Sequence, residues 1–145
     1  MTLDFGGEKI ILVDWPSYYP PDCPDSDAED AFGEVYLLTK NKNPIEEDFK
    51  PHIIKFPNRG DILKSPCKAS GLSVSKTIID CKDVQDLIPA LSRRFICKAC
   101  LEPHHGKMKH TPKGELVNHY TWWIPVSVDK PWTLFQAHNE DKKVS

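Results

Sequence analysis

The chain has 145 residues, a length typical of one domain with one hydrophobic core. Its composition, 39% hydrophobic and 28% charged, is that of an ordinary globular protein and excludes a disordered or fibrous one. A formal net charge of -2 disfavours nucleic acid as a partner, and the lack of any run of about 18 apolar residues disfavours a membrane.

The prolines, the cysteines and the N-terminal residues limit the expected structure and location further. The 13 prolines exclude long helices, because an interior proline removes a backbone hydrogen bond and clashes with the preceding turn. The five cysteines stand at irregular spacing and do not predict a disulfide scaffold. The first residues lack the basic segment and apolar core of a signal peptide. We therefore expect a cytoplasmic location with reduced thiols.

The chain is predicted to begin with a loose terminus at 1–7. A first strand follows at 8–15, where EKIILVDW is apolar and rich in β-branched residues. A proline-rich extended segment at 16–25 carries Tyr18 and Tyr19. These tyrosines either lie over the protein's own core or are offered to a partner.

Four further segments are predicted between residues 26 and 69. SDAEDAFG (26–33) has a capping box and a C-terminal glycine, which predict a short helix. EVYLLTK (34–40) is predicted to be a strand. NPIEEDFK (43–50) has the asparagine cap and first-turn proline of a second short helix. Residues 52–69 predict a brief extended piece followed by a loop.

The second half of the chain is predicted to be mostly strand. Residues 71–80 form a strand that runs into a turn, and Asp80 and Asp83 cap a helix that ends near Pro89. Further strands are predicted at 93–102, 119–128 and 131–137, followed by a loose polar tail at 139–145. The whole predicts a single α+β domain over 1–145, with a mainly antiparallel sheet and two or three short helices.

The segment FICKACLEPHH (95–105) carries residue types that bind zinc, at Cys97, Cys100, His104 and His105. FICKACL also reads as a strand, however, and successive side chains on a strand point to opposite faces. Cys97 and Cys100 would then diverge. We therefore expect no metal here, with cysteines that pack as small apolar residues.

The strand HYTWW (119–123) is dense in aromatic residues. Alternation sends Tyr120 and Trp122 to one face, and His119 and Trp123 to the other. One face is core, while the other is a second core layer, a ligand pocket or an interface. The residues predicted to bind a partner are Tyr18, Tyr19, Trp122, Trp123 and Trp132.

Three segments, YPPDCP (19–24), GLSVS (71–75) and HYTWW (119–123), resemble those of a family of small uncharacterised bacterial proteins. The resemblance covers most of residues 17–136. It implies a bacterial source and a single domain, and it carries no assigned activity.

A looser resemblance is to ADP-ribosyltransferase-like folds, through VYLL (35–38), GLSVS (71–75) and NHYTWW (118–123). It implies NAD as the cofactor and Ser73, His119 and Tyr120 as the catalytic residues. Leu37 departs from that pattern, because it stands where an arginine or histidine would grip NAD.

The sequence contains no complete catalytic constellation. The leading hypothesis is therefore a small cytoplasmic bacterial module without a cofactor, which binds another protein as an accessory or regulatory subunit. An NAD-using enzyme with a pocket around Ser73 and His119 is the alternative. A zinc-stabilised module is the second alternative.

Overall fold

The computed structural model describes residues 2–5, 8–11 and 13–138. Strands β1 (Thr2–Phe5) and β2 (Glu8–Ile11) pair antiparallel as a separate two-stranded sheet. The first predicted strand is therefore present but shorter than 8–15, and part of the terminus expected to be loose is a strand. The predicted tail at 139–145 lies outside the described residues.

A seven-stranded antiparallel sheet forms the centre of the molecule. Its order is β3-β7-β8-β5-β4-β6-β9. Its strands are β3 (Glu29–Asp30), β4 (Gly33–Thr39), β5 (Leu72–Ser75), β6 (Phe95–Leu101), β7 (Lys107–His110), β8 (His119–Trp123) and β9 (Gln136–Ala137).

The helices are short, as the distribution of prolines predicts. Within the described residues they are α1 (His52–Lys55), α2 (Gly60–Lys64), α3 (Pro66–Ser70) and α4 (Ile78–Leu87). Single 3-10 turns occur at Glu46–Phe49, Pro89–Leu91, Pro103–His105 and Pro131–Leu134. The predicted single-domain α+β class with an antiparallel sheet is confirmed, with four α-helices where two or three were expected.

The predicted helix at 26–33 is wrong. Glu29 and Asp30 instead form the edge strand β3 and pair with β7. Acidic side chains in and next to this segment bind lysines of β7: Lys107 Nζ lies 2.8 Å from the Asp30 carboxylate, and Lys109 Nζ lies 3.0 Å from that of Asp25. Pairing across the sheet therefore overrides the local capping signal.

Residues 52–69 are also predicted wrongly, because they form α1, α2 and α3 instead of an extended piece and a loop. Pro66 occupies the first turn of α3, a position that tolerates proline. Contacts distant in sequence hold this helix, since Trp123 Nε1 donates a hydrogen bond of 2.8 Å to the carbonyl oxygen of Cys67. Local sequence carries no sign of that contact.

Other boundaries also differ from those predicted. The strand predicted at 119–128 ends at Trp123. Helix α4 is capped by Thr77, whose Oγ1 accepts a hydrogen bond from the backbone N–H of Asp80. The predicted helix at 43–50 is only the 3-10 turn at Glu46–Phe49. The predicted strand at 131–137 is a 3-10 turn followed by the two residues of β9.

One face of the seven-stranded sheet carries the main core. Its centre is Trp122, whose side chain is fully buried and whose Nε1 donates to the carbonyl oxygen of His105 at 3.0 Å. Phe49 and Phe135 cover it, with ring centroids 6.4 Å and 5.8 Å from that of Trp122. Residues of β4 and β6 extend the same core: Val35, Leu37, Cys97, Ala99 and Leu101.

A disulfide joins Cys23 to Cys67, 44 residues apart in the sequence. The expectation that all the thiols are reduced is therefore wrong for this pair. The bond connects the proline-rich segment at 16–25 to helix α3. Among the described residues, Cys81, Cys97 and Cys100 stay free.

We predict that replacing both bonded cysteines by alanine lowers the free energy of unfolding by about 4 kcal/mol, because the bond closes a long loop in the unfolded chain. Urea denaturation measures the change. Cys100→Ser is the matched control, since this exposed free thiol should change stability by less than about 0.5 kcal/mol. Equal stability of the double variant and the wild type would contradict the prediction.

Gly106 connects the turn at Pro103–His105 to β7 with φ +127, a conformation that favours glycine. A Cβ at this position would collide with the Trp123 carbonyl oxygen and come within 2.9 Å of Pro125 Cδ. We predict that Gly106→Ala destabilises the protein by more than about 2 kcal/mol. The matched control in urea denaturation is Gly60→Ala, which meets nothing within 4 Å and should be neutral or stabilising.

Candidate functional site

A concave, mostly apolar surface lies beside the main core. This depression of about 370 Å³ is here called the aromatic groove. It is lined by Pro16, Tyr18, Glu46, Phe49, Lys50, Pro51, Ile54, Ile124, Pro125, Val126, Val128, Pro131 and Trp132. Tyr18 and Val126 are 39% and 59% exposed, so part of this apolar lining is open to solvent.

One wall of the aromatic groove is the proline-rich segment at 16–25. The backbone N–H of Ile124 donates to the hydroxyl oxygen of Tyr19 at 3.1 Å, and the Tyr19 ring stacks on Trp15. The Tyr18 ring meets Tyr19 edge to face at 5.2 Å. Tyr18 therefore packs on Tyr19, which is itself hydrogen-bonded to Ile124.

The floor of the groove belongs to the core. The Phe49 ring lies 6.4 Å from the Trp132 ring and 5.4 Å from the Phe135 ring. Trp132 sits on the 3-10 turn at Pro131–Leu134 and is partly buried against the core cluster. The groove is thus preformed, since its floor is fixed by the same aromatic contacts that hold the sheet.

The rim of the groove carries one acidic residue, Glu46, and one basic residue, Lys50, and only the lysine forms a salt bridge within the described part of the chain. Lys50 Nζ forms a salt bridge of 3.0 Å with Glu47. Glu46 has no cationic partner among the described residues. The rim therefore presents one uncompensated negative charge.

A second depression, of about 410 Å³, is lined by His104, His105, Ser127 and Val128, and it adjoins the aromatic groove at Val128. The two imidazole rings lie 4.0 Å apart, and Nδ1 of His105 accepts a hydrogen bond from the Glu102 backbone N–H. Burial, with a smaller contribution from His104, lowers the pKa of His105. The neutral form of His105 is therefore favoured.

The predicted partner-binding residues divide into two groups. Tyr18 and Trp132 line the aromatic groove, and Tyr19 anchors its wall. Trp122 and Trp123 are 0% and 1% exposed and are core residues. Their indole N–H groups donate to backbone carbonyls, so neither side chain is available to a partner.

The residues of the NAD hypothesis are only partly brought together. Ser73 pairs with Thr121 and Ser75 with His119, which places Ser73 and His119 on one face of the sheet. Tyr120 pairs with Val74 and lies on the opposite face. Nδ1 of His119 lies 2.8 Å from the carbonyl oxygen of Thr111, so this nitrogen already has a hydrogen-bond partner. Neither depression described above is lined by Ser73 or His119.

The predicted divergence of Cys97 and Cys100 on β6 agrees with their burial. Cys97 is fully buried, with its sulfur 3.3 Å from Thr39 Oγ1, whereas Cys100 is exposed. Burial is also the main cause that raises the pKa of the Cys97 thiol. Within 13–138 and the two N-terminal strands, no three His, Cys, Asp or Glu side chains are grouped as a metal site.

The sequence did not identify most of the groove. Ile54, Pro125 and Val126 had no role assigned, and Phe49 was considered only as part of a short helix. A usable signal is present in IPV (124–126) and FKP (49–51), where an apolar residue stands beside or near a proline. Such pairs are typical of exposed, rigid turns.

We predict that His119 makes the protein less stable in acid. Burial, the first cause, lowers the pKa of His119 in the folded state, and Lys113 and Lys68 lower it further. The unfolded chain, with a His pKa of about 6.5, then binds the proton more readily, so stability is lost as pH falls through that value. In urea titrations at a series of pH values, His119→Gln should lose less stability below pH about 6.5 than the wild type.

The matched control is Cys100→Ser, which replaces an exposed side chain and removes no histidine. Its stability should follow the wild-type dependence on pH. A His119→Gln variant with the wild-type slope would contradict the assignment.

No helix of the described segments has the length and apolar character needed to cross a membrane. No family model matches the chain, and no curated protein or solved structure matches it. The resemblances to small bacterial proteins and to ADP-ribosyltransferase-like folds therefore stay predictions.

Proposed function

We propose that this chain is a protein-binding accessory or regulatory module and that the aromatic groove is its binding surface. The observation that carries the proposal is the partial exposure of aromatic and apolar side chains in a preformed concave surface. Tyrosine and tryptophan are the residues most enriched at the centres of protein interfaces. Tyr18 and Trp132 provide both types in one groove.

Rigidity of the groove also supports the proposal. One wall is fixed by the Tyr19 hydroxyl and the floor by the contact of the Phe49 and Phe135 rings, so little side-chain freedom would be lost on binding. Four of its lining residues are prolines, whose backbone is restricted before any partner arrives.

The proposal no longer includes a cytoplasmic location. A disulfide between Cys23 and Cys67 favours an oxidising compartment, because cytoplasmic reductants keep most thiols reduced. A bacterial source remains an implication of the sequence resemblance alone.

We predict that Val126→Asp, which places a charge on the exposed side of the groove, weakens partner binding without unfolding the protein. The matched control is Ile79→Asp on helix α4, because Ile79 is 64% exposed and Val126 is 59% exposed. Tagged wild-type protein and both variants are used to capture partners from cell extract, followed by quantitative mass spectrometry. A true partner should fall at least about tenfold with Val126→Asp, a loss of roughly 1.4 kcal/mol.

The captured partner is then purified and its binding to each form is measured directly. Equal binding to wild type and Val126→Asp would exclude the groove as the interface. Recovery of no partner, together with a rise in melting temperature on addition of NAD, would favour the enzyme hypothesis instead.

A further inference from the structure

The backbone of the aromatic groove has few hydrogen-bond donors to offer a ligand. Pro16, Pro51, Pro125 and Pro131 have no N–H at all. Three other lining residues use theirs internally: Ile124 N–H donates to the Tyr19 hydroxyl, Val126 N–H to the Asp14 carbonyl, and Val128 N–H to the Pro125 carbonyl. At these seven of the thirteen lining residues, a partner strand would find no backbone donor with which to pair.

Two side chains of the groove do have donors to spare. The Tyr18 hydroxyl and the Trp132 indole N–H have no acceptor among the described residues. Both belong to flat rings that line the groove. A suitable ligand therefore presents apolar surface together with unpaired carbonyl oxygens.

A polyproline II segment meets both requirements. It has no internal hydrogen bonds, so its carbonyls stay available, and its proline rings pack on aromatic surfaces. A helical ligand is a poorer fit, because its carbonyls are paired within the helix and would leave the Tyr18 and Trp132 donors unsatisfied.

Charge at the rim specifies one further feature of the ligand. Glu46 lines the groove without a cationic partner in the described part of the chain, while Lys50 is paired with Glu47. An arginine or lysine next to the prolines of the ligand would complement Glu46.

We propose that the aromatic groove binds a proline-rich segment of another protein in the polyproline II conformation, with a basic residue beside the prolines. This proposal rests on the proposed function and names the partner's chemistry. Tyr18 and Trp132 contact the proline rings and donate to the ligand's carbonyls, and Glu46 binds the basic side chain.

The test uses fluorescently labelled peptides of about ten residues and the full chain with its disulfide intact. Two proline-rich peptides carry arginine at one end or the other, because a polyproline II ligand can bind in either direction. A third carries glutamate in place of arginine, and a fourth is a leucine-rich helical peptide. Fluorescence anisotropy gives each dissociation constant.

We expect one arginine peptide to bind at least about tenfold more tightly than the glutamate and helical peptides. Glu46→Lys should reverse the preference between the arginine and glutamate peptides. Tyr18→Phe, which keeps the ring and removes the donor, should weaken binding about threefold to tenfold. Ile79→Asp should leave all affinities unchanged.

The outcomes separate this proposal from the proposed function. If no proline-rich peptide binds, or the helical peptide binds most tightly, the proposed ligand is wrong, even where capture of a protein partner still depends on Val126. If capture is also unaffected by Val126→Asp, the groove is not an interface and both proposals fall. Unchanged peptide preference in Glu46→Lys overturns the assignment of the basic residue.

Discussion

The relative positions of the proline-rich segment, helix α3 and strand β8 depend on two interactions of Cys67. Its sulfur is bonded to Cys23, and its carbonyl oxygen accepts the indole N–H of Trp123 at 2.8 Å. One residue of helix α3 is therefore joined covalently to the proline-rich segment and by a hydrogen bond to strand β8. The disulfide and the Tyr19 hydroxyl, which accepts from the Ile124 N–H, together fix the segment at 16–25 as a wall of the groove.

Prolines shape the groove because they lack a backbone N–H and because their backbone is rigid. Segments such as 124–126 and 49–51 cannot join long helices or strands, so they remain as connections at the edge of the core. Their surroundings supply order instead, through the Tyr19 hydroxyl and the rings of Phe49 and Phe135. The result is a concave surface made of loops whose side chains are already ordered by contacts within the protein.

The sequence predicted secondary structure best in strands whose alternating pattern matches a single buried face of the sheet. Strands β4, β6 and β8 were predicted from their apolar, β-branched and aromatic composition and from alternation. The assignment of Tyr18 and Trp132 to partner binding stays a prediction. The pairing of Cys23 with Cys67 was not predicted, because contacts 44 residues apart leave no local signal. Trp123 was assigned to a partner for a related reason: alternation shows that a side chain faces away from the main core, but not that α3 will cover it.

The outer strands of the sheet have a consequence for how the molecule meets others. Strands β3 and β9 contain two residues each, and Asp30 of β3 forms a salt bridge with Lys107. A short, charged outermost strand is a poor template for the main chain of a second molecule. Growth by addition of strands, which leads towards fibrous aggregates, is thus discouraged at both ends of the seven-stranded sheet.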